Sequence, residues 1–265
     1  MKYGAMNFPI KPLMKEIEEI SSLGFDYVEI SMDPPEALPE KVQNLKDEIL
    51  EAARNYGMDL IAHMPTFVST ADLYASVRRV SIEETVAALE TASALRIKKV
   101  VLHPPYTVGL GKFVPKKIRE YGLSSLNGIL EKAKGLNIMV CLENMFATAG
   151  SLTTPRDFRT VFEEFPGLSM TLDIGHAFVA GGMNNVLEFI NGVGSRIVHV
   201  HANDNLGRED NHLPVGAGFI DFREVLRELK SLGYNDTMTV EVFSRDRDYL
   251  RISREKLLRL WEELP

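Results

Sequence analysis

Two rhythms alternate along the chain. Short apolar runs rich in Val and Ile lie near residues 2–7, 26–31, 58–63, 98–103, 137–143, 168–173, 196–201 and 237–243. Their length and β-branched content predict buried strands. Between them stand charged segments whose apolar residues recur at three- and four-residue intervals: KPLMKEIEEISSLG, PEKVQNLKDEILEAARNYG, VRRVSIEETVAALETASALR, KKIREYGLSSLNGILEKAKG, TPRDFRTVFEEF, NNVLEFINGVG, DFREVLRELKSLG and REKLLRLWEEL. That spacing gives a helix one apolar stripe. Gly24, Gly57, Gly135 and Gly233 close several of these segments just before a strand, where a helix C-cap is expected. Eight strand–helix units with no linker or low-complexity interruption predict an α/β fold, a single (β/α)8 TIM barrel domain over residues 1–265. An open doubly wound sheet usually has fewer strands and a glycine-rich phosphate turn after the first, and MNFPIKP offers none.

A barrel makes a demand on parity, because strand side chains alternate between the interior and the surrounding helices. Val100 and Leu102 suit the helix side of the fourth strand, leaving Val101 and His103 inside. By the same logic Cys141 and Glu143, Thr171 and Asp173, His199 and His201, Thr239 and Glu241, and Ile61 and His63 point inward. Every polar strand-end residue falls on the interior parity at the C-terminal end of its strand, the face where barrel enzymes keep their chemistry.

Composition narrows the partners. The 265 residues are 45% hydrophobic, enough for one large core, and the formal charge is −7. Uniformly acidic chains repel polyanions, so DNA is the less expected partner. A lone cysteine, Cys141, rules out an intrachain disulfide and fits a reducing compartment. The apolar runs are too short to span a membrane, and MKYGAMNFP reads as a first strand rather than a leader. A cytoplasmic enzyme is the expectation, with homo-oligomerisation left open.

The inward set converges as His63, His103, Glu143, Asp173, His201 and Glu241, and the loop residues His176, Asp210 and His212 join it. Several carboxylates crowded at one barrel mouth repel one another unless a cation sits between them. Mixed His and carboxylate donors suit Zn2+ or Mn2+. Any one of these histidines alone would be read as a hydrogen-bonded interior residue; six strand ends sharing parity and position point to a divalent metal site. His199 lies one layer below His201 and reads as a buried, hydrogen-bonded histidine.

The strings AHMP, VLHPP, LEN, LDIGH, HVHAND, DNHLPVGAGFIDF and VEVF, in this order over essentially the whole chain, resemble the xylose isomerase-like TIM-barrel superfamily. That superfamily includes inosose isomerases and dehydratases, ketose 3-epimerases, hydroxypyruvate isomerase and endonuclease IV. The resemblance to its sugar isomerases and epimerases implies one divalent metal held by Glu143, Asp173, His201 and Glu241, with Glu143 and Glu241 also moving the proton. It implies that His176 contacts a sugar or sugar-phosphate substrate; His63, His103 and, more weakly, Arg208 are further candidates for substrate binding. The resemblance to endonuclease IV implies a second reading, a zinc-dependent abasic-site phosphodiesterase with three ions. Its five additional ligands would match His63, His103, His176, Asp210 and His212.

Other features weigh against the nuclease. The second loop, SMDPPEALPE, is acidic and proline-rich, a poor surface for phosphates. Tyr74, Arg78 and Arg79 in the third loop read as ordinary solvated residues at a helix start. The basic fourth loop, PPYTVGLGKFVPKKIR with Lys112, Lys116 and Lys117, reads as a soluble helix start before it reads as a lid over a phosphate. Cys141 is expected as an interior filler and Trp261 as packing, while Glu29 either touches substrate or pairs with a nearby Lys or Arg.

Overall fold

The computed structural model describes residues 1–105, 109–146 and 152–265. Eight parallel strands close into a barrel in sequence order: β1 (Lys2–Met6), β2 (Tyr27–Ser31), β3 (Asp59–His63), β4 (Lys99–Leu102), β5 (Met139–Glu143), β6 (Ser169–Asp173), β7 (Ile197–Ala202) and β8 (Thr237–Val240). Pairing of β1 with β8 completes the ring. The predicted runs and the observed strands coincide to within a few residues. Helices α1 (Leu13–Ser22), α2 (Pro39–Asn44), α3 (Lys46–Tyr56), α4 (Ala75–Ala94), α5 (Pro115–Gly135), α6 (Pro155–Glu164), α7 (Ile174–Val193), α8 (Phe222–Ser231) and α9 (Asp248–Glu263) surround it.

The parity expectation holds. Val28, Ile30, Val100, Leu102, Val140, Leu142, Leu172, Val200 and Val240 join the apolar layer between strands and helices, whereas the buried Ile61, Val101 and Cys141 lie outside that layer. Gly4 explains how the barrel interior fills. A Cβ there would lie 2.1 Å from the Tyr27 ring, so only glycine lets that ring pass over β1 from β2 towards β8. Tyr27 then donates its hydroxyl proton to Thr239 Oγ1 at 2.8 Å.

Besides α9, which begins at Asp248 and not at the Arg254 of the expected REKLLRLWEEL, three helical segments differ from the sequence expectation. PEKVQNLKDEILEAARNYG folds as two helices, because Leu45 leaves the helical region (φ −91°, ψ 5°). The break lets α2 pack on α4 while α3 packs on α1. The segment expected over NNVLEFINGVG begins much earlier, at Ile174, and bends at Gly181 and Gly182 (φ 67°). Its first turns are apolar on all sides and carry no stripe to recognise. Finally, α5 runs through Gly135, and Asn137 (φ 56°) takes the left-handed position instead. Gly24, Gly57 and Gly233 do adopt positive φ as expected of C-caps. Residues 106–108 of the fourth loop lie outside the described residues. Among the described residues no helix is long and apolar enough to cross a membrane.

Candidate active site

All six histidines of the chain lie at or just below the C-terminal mouth of the barrel. Strand ends supply most of the polar groups: His63 from β3, His103 just after β4, Glu143 from β5, Asp173 from β6, His201 from β7 and Glu241 just after β8. His176 stands in the first turn of α7. Asp210 and His212 come from the loop after β7.

Glu143 is buried beneath three of these histidines. Its Oε2 is 3.3 Å from His63 Nε2 and 3.2 Å from His103 Nε2, and its Oε1 is 3.1 Å from His176 Nδ1. Burial opposes the charge on Glu143, but the positive fields of His103 and His201 and the hydrogen bonds from His103 and His176 hold its carboxyl well below the usual range. His63 donates Nδ1–H to Met64 O at 2.9 Å. Desolvation works against a charge on His63, yet its contact with Glu143 pushes it up to about 9.

Asp173 has two tasks. As the N-cap of α7 it accepts from His176 N at 2.5 Å, and Asn203 Nδ2 donates to its other oxygen at 3.2 Å. Burial is the main reason that its carboxyl rises to about 7, with Glu241, Glu143 and Asp210 adding like charge against the pull of His176. The strand ends are tied by Asn144, which donates to Asp173 O and accepts from Asp173 N, both at 2.8 Å. Gly175 permits the helix start to settle here, since a Cβ would sit 2.0 Å from Asn203 Oδ1.

A second triad lies beside the first. His176 Nε2 is 3.1 Å and His212 Nε2 2.9 Å from the same Asp210 Oδ2. Desolvation opposes charge on His212 too, and Asp210 outweighs it, pushing the imidazole up to about 9. His212 has φ 46°, a left-handed conformation that is uncommon outside glycine and that clusters at functional sites.

The loop carrying Asp210 and His212 is held by a residue that the sequence reading passed over. Asp204 accepts hydrogen bonds from four backbone N–H groups: Asn205 (2.9 Å), Gly216 (2.8 Å), Gly218 (2.9 Å) and Ile220 (3.2 Å). Backbone pairing between Asp204 and Leu213 closes the base of the excursion. Aromatic rings wall the mouth and were also missed: Phe146 lies 5.0 Å from the His176 ring, Phe243 lies 4.8 Å from that of His212, and Phe8 stacks on Phe243 at 5.3 Å. No local pattern marks them in sequence, because loops from opposite ends of the chain bring them together.

Below the mouth, Glu29 pairs with histidines and not with a Lys or Arg. It accepts from His199 Nε2 at 2.9 Å, from His201 Nε2 at 3.0 Å, and from Thr239. His199 takes the interior place expected of it. Cys141 is buried, and desolvation pushes its thiol up to about 12, which fits a filler and not a nucleophile. Arg208 is exposed and makes no hydrogen bond or ion pair among the described residues. Arg79 pairs with Glu83 at 2.9 Å, Arg78 lies over Tyr121 at 3.8 Å, Tyr74 is exposed, and Lys117 pairs with Glu120. Lys112 lies over the Phe113 ring, and Trp261 packs against the core.

Asp173, His201 and Glu241 place one donor atom each within 4.8 Å of one another, and Glu143, Asp173 and His176 do the same. Two of these buried atoms, His201 Nδ1 and Glu241 Oε2, have no hydrogen-bond partner. Buried polar atoms are rarely left so. His201 Nδ1 faces Glu143, Asp173 and Glu241 oxygens at 3.5, 3.8 and 3.6 Å, beyond hydrogen-bond length. The donor chemistry of imidazole and carboxylate fits a divalent cation at this point. By contrast, the ring nitrogens of His63, His176 and His212 all face protein acceptors.

Known proteins are similar to the chain over most of its length. The chain is similar to a D-tagatose 3-epimerase-like protein of known structure, with 31% identity, a TM-score of 0.87 and coverage of 99% of this chain and 97% of the other. It is 28% identical to an inosose isomerase of Halalkalibacterium halodurans, over 93% of this chain and 88% of that protein. It is also 28% identical to a probable endonuclease 4 of Aster yellows witches'-broom phytoplasma, over a shorter share, 73% of this chain and 72% of that one. A family model described as xylose isomerase-like TIM barrel matches residues 17–261. With that match spanning all but the ends of the barrel, the chain belongs to the xylose isomerase-like TIM barrel family.

Proposed function

We propose that the protein is a divalent-metal-dependent isomerase or epimerase of a small sugar, polyol or sugar phosphate. The observation that carries this reading is the pair of unpartnered buried atoms, His201 Nδ1 and Glu241 Oε2, which belong to the donor set Glu143, Asp173, His201 and Glu241. These four would hold the ion. When bound, a Zn2+ or Mn2+ ion would act as a Lewis acid on neighbouring substrate oxygens and so acidify the adjacent C–H. Similarity over the full length to an epimerase-like structure and to an inosose isomerase supports the sugar chemistry.

The chain's own residues supply the proton transfer. Glu143 and Glu241 rise from β5 and β8, which are three strands apart in the eight-membered ring, so their carboxylates approach a bound substrate from different sides. One removes the proton from carbon, giving a planar enediolate, and the other returns a proton to it. His176 would stand beside the bound substrate, its imidazole fixed by Asp210 through Nε2. Phe146, Phe8 and Phe243 offer apolar faces to the C–H side of a sugar and keep water off the reacting carbon.

The test is solvent exchange. The metal-loaded protein is incubated in D2O with a panel of ketoses, inososes and their phosphates, and the carbon-bound proton is followed by NMR. Deuterium should enter at one carbon next to a carbonyl, at a rate lost with chelator. Turnover without exchange would point to a hydride shift and contradict the mechanism.

A second reading has its own observation. His63, His103 and Glu143 form one further three-donor group, and His176, Asp210 and His212 another. Together with the first set they would suit three zinc ions and phosphodiester hydrolysis at abasic sites in DNA. The protein partnering of both ring nitrogens of His63, His176 and His212 and the net charge of −7 favour the sugar reading.

A further inference from the structure

A hydrogen-bonded chain runs along the barrel axis from its N-terminal face to the candidate metal site. At the outer end the Lys99 ammonium, paired with Asp236 at 2.7 Å, donates to Thr237 Oγ1 at 3.0 Å. Thr237 Oγ1 lies 2.7 Å from His199 Nδ1, and His199 Nε2 lies 2.9 Å from Glu29 Oε2. Glu29 Oε1 then lies 3.0 Å from His201 Nε2. A branch from Tyr27 through Thr239 reaches the same carboxylate. Every group from His199 to His201 is fully buried.

Proton counting fixes the direction of each bond. A carboxylate can only accept, so both Nε2 atoms that face Glu29 carry hydrogen. Thr237 accepts from Lys99 and has one proton to give; His199 Nδ1 at 2.7 Å is the nearer acceptor, since Val198 O lies 3.5 Å away and already accepts from Lys99 at 2.7 Å. His199 is thereby a neutral imidazole with its hydrogen on Nε2. His201 likewise commits its Nε2 hydrogen to Glu29, so Nδ1, the atom that has no partner and faces Glu143, Asp173 and Glu241, is the one ring nitrogen that can present a lone pair to a cation. Either histidine in the other tautomer would set two lone pairs, nitrogen against carboxylate, in contact inside a dry barrel.

We infer that Glu29 is a positioning residue for the metal site: by accepting Nε2–H from both His199 and His201, it holds His201 in the tautomer and ring orientation that aims the Nδ1 lone pair at the cation. The inference rests on the metal-dependent reading for its purpose, but its core, the tautomer, is a property of the chain itself. It extends the site one layer into the barrel, to residues on β2 and β7 that touch neither substrate nor metal. Removing a buried hydrogen-bond partner of this kind from a metal-bound histidine typically weakens metal binding about 10- to 100-fold.

Glu29→Gln is the sharp probe. The amide offers one acceptor and one donor where the carboxylate offered two acceptors, so it cannot accept from both histidines. One imidazole must then change tautomer or turn. Two readouts that do not depend on turnover test this. Imidazole 15N–1H correlation spectra of the wild-type, metal-free protein should show His199 and His201 both protonated at Nε2, and a His201 that lacks the Nε2 hydrogen and carries one on Nδ1 alone overturns the inference with no variant needed. Mn2+ and Zn2+ affinity, measured by competition with a chromophoric chelator, should fall about 10- to 100-fold in folded Glu29→Gln, and Glu29→Asp, whose shorter side chain keeps two acceptors, should recover part of that loss. Equal affinity in wild type and Glu29→Gln contradicts the positioning role alone. A wild type with no stoichiometric metal contradicts the proposed function, while the tautomer measurement still decides the inference.

Discussion

Glu143 and Glu241 carry the heaviest burden of any residues in the chain. Glu143→Gln and Glu241→Gln keep the shape of the side chain and remove the charge and the proton acceptor. Each is expected to lower kcat by about a hundredfold to ten-thousandfold, the range of a lost general acid or base, while circular dichroism stays native. A variant of either with near wild-type kcat would remove that residue from the proton path. The histidines give a separate handle through pH. His63 and His212 in the metal-free chain are pushed up to about 9 by Glu143 and Asp210, against the opposing effect of burial. A folded pKa above the unfolded value of 6.5 means stability that is complete below pH 6.5 and lost as pH rises through about 9. Asp173, raised to about 7 chiefly by burial, acts in the same direction just below that window. The thermal midpoint of the demetallated protein should therefore fall between pH 6.5 and 9; a flat profile would show that these imidazoles fold uncharged. At this scale the sequence was informative wherever strand parity applied: His63, Glu143, Asp173 and His201 could be placed by counting alternate positions. Asn144, Asn203 and the partners of Glu29 could not, because their roles depend on which residue of a distant strand lies opposite.

Among the elements, α7 and the loop after β7 matter most for the site. The N-terminus of α7 is fixed by Asp173 and by the close packing of Gly175 on Asn203, and this brings His176 over Glu143. The start of α7 was illegible because its first residues, IGHAFVAGG, have no polar face and include the bend glycines. The loop after β7 owes its shape to Asp204. Hydrogen bonds to a charged acceptor are worth about 1.5–3 kcal/mol each and are not additive, so Asp204→Ala should cost about 3 kcal/mol in urea unfolding. It should also loosen Asp210 and His212 and impair activity. A loss under about 1 kcal/mol with full activity would show that the loop holds itself without this carboxylate. The loop glycines Gly216 and Gly218 were noticed in sequence as turn formers, but the residue they turn around was not, since a single Asp among Asn residues carries no distinctive spacing. Loops one and eight are joined likewise by a buried ion pair, Glu16 with Arg247 at 2.8 Å, and Glu16 also accepts from Phe8 N. That link helps to set Phe8 against Phe243 at the mouth, a contact between chain ends that no local pattern predicts.

Taken whole, the molecule is a barrel whose apolar layer lies outside the strands and whose axis is polar. Tyr27, Glu29, His199, His201 and Thr239 fill the lower interior, and the candidate metal residues crown it. Fold class was legible because eight strand-sized apolar runs and the intervening stripes repeat without interruption, and one parity rule placed the polar residues. The number of bound ions was not legible, since the same nine residues serve either one ion or three. Geometry separates the sets by their imidazoles: His201 Nδ1 lacks a partner, as do the carboxylate atoms Glu241 Oε2 and Asp210 Oδ1, while the imidazoles of His63, His176 and His212 are fully engaged with carboxylates and carbonyls. The measurement that bears on this most directly is the metal content of the purified protein, taken by elemental analysis after dialysis, beside His212→Ala. The account predicts about one tightly held ion per chain in both proteins, held where an imidazole nitrogen and a carboxylate oxygen are both unpartnered. Three ions in the wild type falling to two in His212→Ala would contradict it in favour of a trinuclear phosphodiesterase, and no bound ion at all would remove the metal from the account.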